Sequence, residues 1–197
     1  MKWNDAYLFL LDAEDWILLK SANDLKEKYQ IPDEKCYSTL PAQGFTTKER
    51  NFLKQATVYS KIIIVSHGNG GEVIAKRGDQ IGGYIPQRFC HFLVTVMGLK
   101  QAGILSFKGC SIGSAIYIEE LRGHLDKNNV RIGWLSAYKK GCSPYGASFA
   151  VGLYDEFRLC ISPLITLQKH NESRVKIIKG NTEIFPLHGT SAKFQTI

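Results

Sequence analysis

Three isoleucines and a valine stand in unbroken succession from Ile62 to Val65, with Lys61 before them and Ser66 after. A strand wetted on one side alternates apolar and polar residues. A run without alternation is buried on both faces, as the central strands of parallel sheets are. This run stops at His67-Gly68. A second apolar run, Ile104 to Phe107, stops at Gly109-Cys110. If the two are neighbouring parallel strands, their C-terminal ends lie side by side, at the edge where open α/β sheets carry their sites. An imidazole and a thiol then share that edge, the pair of groups a thiol nucleophile requires.

Ala6 to Leu11 (AYLFLL) is a further buried strand, closed by Asp12, Glu14 and Asp15. Trp16 to Tyr29 has helical spacing and is broken by Ile31-Pro32. Cys36 to Phe45, with Pro41 and Gly44, reads as loop. Thr46 or Thr47 is placed to cap a helix through Ser60 whose apolar face is Phe52, Leu53, Ala56 and Tyr59. Gly68 to Tyr84 is rich in glycine and charge, which fits a surface loop or a short hairpin. Pro86 opens a helix with Phe89, Phe92, Leu93, Val96 and Met97 on one face. Ser114 to Leu125 is expected to be helical, Val130 to Ala137 a strand, and Ala147 to Leu159 a helix. Val175 to Ile178 and Glu183 to Leu187 form a C-terminal hairpin across Gly180-Asn181. Strand, helix, strand, helix, strand from residue 61 to 137 gives right-handed parallel crossovers with helices on both faces. The expected fold is α/β, a three-layer sandwich with a mostly parallel central sheet and a C-terminal hairpin, in one domain spanning residues 1–197.

A chain of 197 residues with 44% hydrophobic and 22% charged residues can bury a full core without metal or disulfides. Its five cysteines are odd in number and contain no CxxC pair. They read as free thiols in a reducing compartment, and no metal is assigned. The N-terminal apolar run ends in acidic residues without a small-residue cleavage site, so it is not read as a signal peptide. No apolar run reaches the ~18 residues of a membrane span. The expected location is cytoplasmic, or inside another cell reached without a cleaved signal. The net charge of +7 is dispersed. It suits a solvated surface or a polyanion effector, and no specific nucleic-acid motif is present.

Gly109-Cys110-Ser111-Ile112-Gly113 matches the G-x-S-x-G nucleophile turn of serine hydrolases. That fold must fit another strand and helix between an oxyanion loop at His67-Gly68 and a nucleophile at Ser111. The interval is already filled by one glycine-rich loop, one helix and one strand. A serine hydrolase using Ser111 is therefore the alternative reading.

The succession of apolar strand, His67-Gly68, loop, helix, apolar strand and Gly109-Cys110 resembles the caspase-like superfamily of cysteine peptidases, over roughly Ile62 to Ala137. The closest resemblance is to the self-processing cysteine protease domains of large bacterial toxins. The caspase signature Q-A-C-x-G is absent, since Phe107-Lys108-Gly109 precedes Cys110. The resemblance implies a Cys-His dyad, with Cys110 as nucleophile and His67 as general base or acid. It also implies an oxyanion site made by the backbone amides of Gly68 and Cys110, and a protein or peptide substrate, with self-cleavage included. The pocket for the residue before the cut falls on Asp12 and on Ser136, Ala137 and Lys139. Asp12 favours a basic residue and Lys139 an acidic one, so no specificity is assigned. By the same resemblance no cofactor is needed, and inositol hexakisphosphate is a candidate activator. A caspase-like interaction domain without chemistry is the remaining alternative. No third member of a triad is nominated.

Overall fold

A computed structural model describes residue 3 and residues 5–69, 80–109, 112–113, 116–139 and 175–183. Among these residues the centre is a six-stranded sheet. Its strands are β1 (Asp5–Leu10), β2 (Cys36–Ser38), β3 (Ser60–Val65), β6 (Gln101–Lys108), β7 (Arg131–Tyr138) and β8 (Val175–Lys179), in the order β2-β1-β3-β6-β7-β8. The first five run parallel and β8 pairs antiparallel to β7. A separate two-stranded ribbon joins β4 (Gly68–Asn69) to β5 (Gln80–Ile81). The glycine-rich segment was expected to be a surface loop or a short hairpin, and this pairing agrees with the second; residues 70–79 lie outside the described residues.

The apolar runs sit where their lack of alternation requires. All six residues of β3 are buried. One face of the sheet presents Leu8, Leu10, Ile63 and Val65 to Leu18 and Ala22 of α1 (Trp16–Tyr29). The other presents Phe9, Ile64, Leu105 and Phe107 to Phe89 and Cys90 of α2 (Pro86–His91) and to Leu121 and Leu125 of α3 (Tyr117–Lys127). Helix, sheet and helix pair make three layers, the expected α/β sandwich. Each apolar side chain fully withdrawn from water contributes about 1.5–3 kcal/mol, so this double burial is what holds the strand order.

The local rules explain where α1 begins and ends. Asp15 caps its first turn, its carboxylate accepting the Ile17 N–H at 2.7 Å. Gln30 closes the other end in the left-handed conformation at φ 51°, and the amides of Gln30 and Ile31 return to the carbonyls of Glu27 and Lys26. α2 starts on Pro86 as expected and passes into a π-helical turn, Phe92–Val96.

Two elements differ from expectation. The segment expected to be a helix from Thr46 or Thr47 to Ser60 forms no helix. Asn51 lies at φ 62°, and the amides of Asn51 and Leu53 bond to the carbonyls of Val96 and Met97 rather than to a preceding turn. Of its predicted apolar residues, Leu53 and Ala56 are buried and Phe52 packs against the same core, while Tyr59 is only partly buried. Within Cys36 to Phe45, read as loop, Cys36–Ser38 pairs with β1. Helix α3 begins at Tyr117 rather than Ser114; residue 114 itself lies outside the described residues, as does the helix expected from Ala147 to Leu159. Gly180 lies so close to β7 that a methyl there would run into the Ile132 carbonyl oxygen. The second arm of the expected hairpin falls beyond Glu183, outside the described residues.

Candidate active site

Because five strands are parallel, the turns after β1, β2, β3 and β6 gather at one edge. The turn after β3 is fastened to the turn after β1 by a single carboxylate. Asp12 Oδ2 accepts the His67 backbone N–H at 2.7 Å and lies 2.5 Å from Ser66 Oγ. Ser66 Oγ also lies 2.9 Å from the His67 carbonyl oxygen. The hydroxyl has one proton, and the carboxylate is the stronger acceptor. On the other side, the Gly82 N–H donates to the His67 carbonyl at 3.1 Å. The backbone of His67 is thus held from both flanks, while its ring stands exposed.

The ring is held as well. His67 Nε2 lies 2.8 Å from Asp15 Oδ2, and the other oxygen of Asp15 caps α1. One carboxylate therefore binds a helix end and an imidazole together. The Ile17 N–H, and after it the His67 ring, keep the Asp15 carboxyl below its usual range, against the opposing effect of desolvation. Asp15 is then ionised at neutral pH, so Nε2 of a neutral His67 carries the proton and Nδ1 the lone pair. An exposed pair of this kind adds little stability; what it fixes is the tautomer and the ring orientation.

The turn after β6 comes up against the same place. β3 and β6 pair in register up to Val65 opposite Lys108. Beyond that pair, a methyl on Gly109 would lie 3.0 Å from the Ser66 carbonyl oxygen and 3.4 Å from the Gly68 amide nitrogen. The backbones of Ser66–Gly68 and Gly109 are therefore packed together, and a side chain at 109 would push the Ser66 carbonyl back by a few tenths of an ångström. His67 and Cys110 each stand two residues past the paired Val65 and Lys108. Cys110 and Ser111 themselves lie outside the described residues. Further along the loop, the Gly113 N–H donates to the Tyr138 carbonyl at 2.7 Å, so the loop crosses the end of β7.

No family model matches the sequence, and no curated protein matches it. Among solved structures it is similar to a secreted C11 cysteine protease from Bacteroides thetaiotaomicron in complex with an irreversible peptide inhibitor. That similarity has a TM-score of 0.45 and 12% identity, and covers 89% of this chain and 65% of the other. This chain thus spans 65% of the length of that protease.

The residues expected to line a substrate pocket are placed apart. Asp12 stands beside His67, with one oxygen engaged by the turn after β3. Ser136, Ala137 and Lys139 stand at the end of β7, on the far side of β6. Ser136 and Ala137 alternate to opposite faces of the strand. The Ser136 hydroxyl donates to Ser106 Oγ at 3.3 Å, whereas Ala137 joins the core beneath α2 and α3. Asp15 is the residue the sequence reading passed over. Its signal was present as an acidic residue directly before a helix, at the end of the strand next to the one carrying His67. Among the described residues no cluster of three or more His, Cys, Asp or Glu is placed to hold a metal. Nor is any described helix long and apolar enough to cross a membrane.

Proposed function

We propose that this chain is a cysteine endopeptidase in which Cys110 attacks the scissile carbonyl and His67 transfers protons. Asp15 orients His67, and the amides of Gly68 and Cys110 receive the oxyanion. One observation carries the reading: the close packing of Gly109 on Ser66–Gly68, beyond the in-register pair Val65 and Lys108. It supports a cleft bounded by the imidazole on one side and the turn bearing the thiol on the other.

In the first half-reaction, the Cys110 thiol passes its proton to His67 and its sulfur forms a bond to the carbonyl carbon while the carbonyl π electrons move onto oxygen. Collapse of that intermediate breaks the C–N bond, and the departing nitrogen takes a proton from His67. Water then attacks the resulting thioester, giving its proton to His67, and the thiolate leaves and recovers a proton. A free thiol with pKa ~8.5 is only a few per cent ionised at neutral pH, so an oriented imidazole that can accept its proton is the needed second component. The Gly68 amide nitrogen borders the space beside Gly109, which suits an oxyanion donor. Removing one such donor typically lowers rate ~10²–10³-fold.

The test is cleavage of a peptide library by the purified chain, alongside cleavage of the chain by itself. Wild-type protein is expected to cut, Cys110→Ala and His67→Ala to lose at least ~10³-fold of that activity, and Ser111→Ala to retain it. A peptide electrophile is expected to mark Cys110 ahead of the other four cysteines. Loss of activity in Ser111→Ala with retention in Cys110→Ala would move the assignment to the serine hydrolase reading. An absence of cleavage, with Cys110 labelled no faster than the other thiols, would leave an interaction domain.

A further inference from the structure

The two peptide planes that flank His67 are held by different segments of the chain. The plane before it is held by Asp12, whose Oδ2 accepts the His67 N–H at 2.7 Å and lies 2.5 Å from Ser66 Oγ. The plane after it is held by Gly82, whose N–H donates to the His67 carbonyl at 3.1 Å. The soft dihedrals of a residue are the rotations that relate its flanking planes, so fastening both planes fixes the backbone of His67. Asp12 is itself anchored through its neighbour. The Leu11 N–H donates to the Val65 carbonyl at 3.0 Å, and the Thr39 hydroxyl donates to the Leu11 carbonyl at 2.7 Å. Gly82 fits into the same junction at φ 52°, where a methyl would lie 3.0 Å from Ser66 Oγ.

This fastening aims the next amide. In a trans peptide the C=O and the following N–H point in opposite directions. The His67 carbonyl faces Gly82, so the Gly68 N–H faces away from β5. The ribbon agrees. A bond from Gly82 to His67 makes Gly68 and Ile81 a pair that exchanges no hydrogen bonds between its own members, and such residues turn their N–H groups outward. Gly109 stands beside that amide, since a methyl there would lie 3.4 Å from the Gly68 nitrogen.

We propose that Asp12 is a positioning residue for the oxyanion: through Ser66 and the His67 amide it sets the direction of the Gly68 N–H. The inference rests on the peptidase reading above, in which that N–H receives the oxyanion. This task needs an acceptor of two hydrogen bonds and no charge. Lining a pocket for a basic side chain, the place that the superfamily resemblance implies for Asp12, needs the charge. Asparagine separates the two roles, because its side-chain carbonyl accepts two hydrogen bonds and is neutral.

The experiment uses the full chain and two internally quenched peptides built on one mapped cleavage site, with Lys or Leu immediately before the cut. Rates are expressed per folded molecule, the folded fraction coming from a urea melt of each variant. Asp12→Ala is expected to lower kcat about tenfold to a hundredfold with KM little changed, the signature of an interaction made in the transition state. Asp12→Asn is expected to keep kcat within about threefold of wild type, and the Lys-to-Leu ratio of kcat/KM to be the same in all three proteins. Ser66→Ala, which leaves the carboxylate on the His67 amide, is expected to lose less than Asp12→Ala, and it carries the test if Asp12→Ala does not fold. Full activity in the variant that carries the test overturns the proposal, as does an Asp12→Asn protein whose kcat per folded molecule falls tenfold or more. A Lys-to-Leu ratio that collapses in the Asp12 variants overturns it in favour of the pocket. Each of these leaves the peptidase reading standing. If folded wild type cuts no peptide, the peptidase reading falls and takes the positioning role with it.

Discussion

Asp15 uses its two oxygens for two tasks, and substitutions can separate them. Asparagine caps a helix about as well as aspartate but offers no charge to an imidazole. Asp15→Asn is therefore expected to keep the thermal stability of the wild type near neutral pH and to lower Cys110-dependent kcat by roughly tenfold to a hundredfold. Asp15→Ala is expected to lose the same activity and, with it, about 1 kcal/mol from the missing cap. Melting and steady-state kinetics on the two variants check both statements; equal activity in Asp15→Asn and wild type would remove Asp15 from the site. The pH dependence has a defined sign. The folded-state pKa of Asp15 is depressed, first by the Ile17 amide and then by His67. Its contribution is fully present above the unfolded carboxylate value of ~3.9 and is lost as pH falls through the lower folded value. Melting temperature measured downward from pH 6 is therefore expected to carry, below about pH 4, an acid-sensitive component that Asp15→Asn lacks. The pairing was illegible in the sequence because Asp15 and His67 are brought together only by the alignment of β1 with β3, with Leu10 opposite Val65. No local spacing encodes that.

At the scale of elements, legibility followed burial. β3, β6 and β7 were evident because strands covered on both faces need unbroken apolar runs, and Ile62–Val65 leaves no other reading. α1 was evident because its sequence carries its own stop at Ile31-Pro32. β2 was not, since Cys36–Ser38 has three residues at a sheet edge and is a strand only by virtue of its neighbour. The segment around Leu53 was misread for a related reason. Its apolar spacing suits a helix, yet the amides of Asn51 and Leu53 bond to the carbonyls of Val96 and Met97 at the end of the π-helical turn, so tertiary bonding displaced local propensity. Such a segment is as much part of the core as a helix would be. Leu53 is fully buried, with Phe52 packed against the same cluster. Leu53→Ala is expected to cost about 2–5 kcal/mol, and Lys54→Ala, at an exposed neighbour, to stay within ~0.5 kcal/mol of wild type. Urea unfolding of the two variants makes the comparison. A small loss at Leu53 would mean that the segment is a loosely held loop.

Across the whole molecule, the two sides of the sheet can be followed by two of its own thiols. Cys36 sits in the cluster beneath α1, and Cys90 in the cluster between the sheet and the α2–α3 pair. Burial pushes the Cys36 thiol up to about 11 and raises that of Cys90 as well. Neither is then a competitor for an electrophile in the native state, because the thiolate is the reacting form. Each becomes reactive only when its layer opens. β3 joins the layers by placing Ile63 and Val65 on one face and Ile62 and Ile64 on the other, so opening either layer exposes the strand that supports both. Alkylation of Cys36 and Cys90 is therefore expected to proceed at a common rate, to rise together with urea, and to match the rate of global unfolding. Mass-resolved labelling of the intact chain over a urea series measures both sites in one sample. If Cys36 is modified well ahead of Cys90, then β2 with the turn after it opens separately from the core. If the rates coincide, the sheet yields only as a whole.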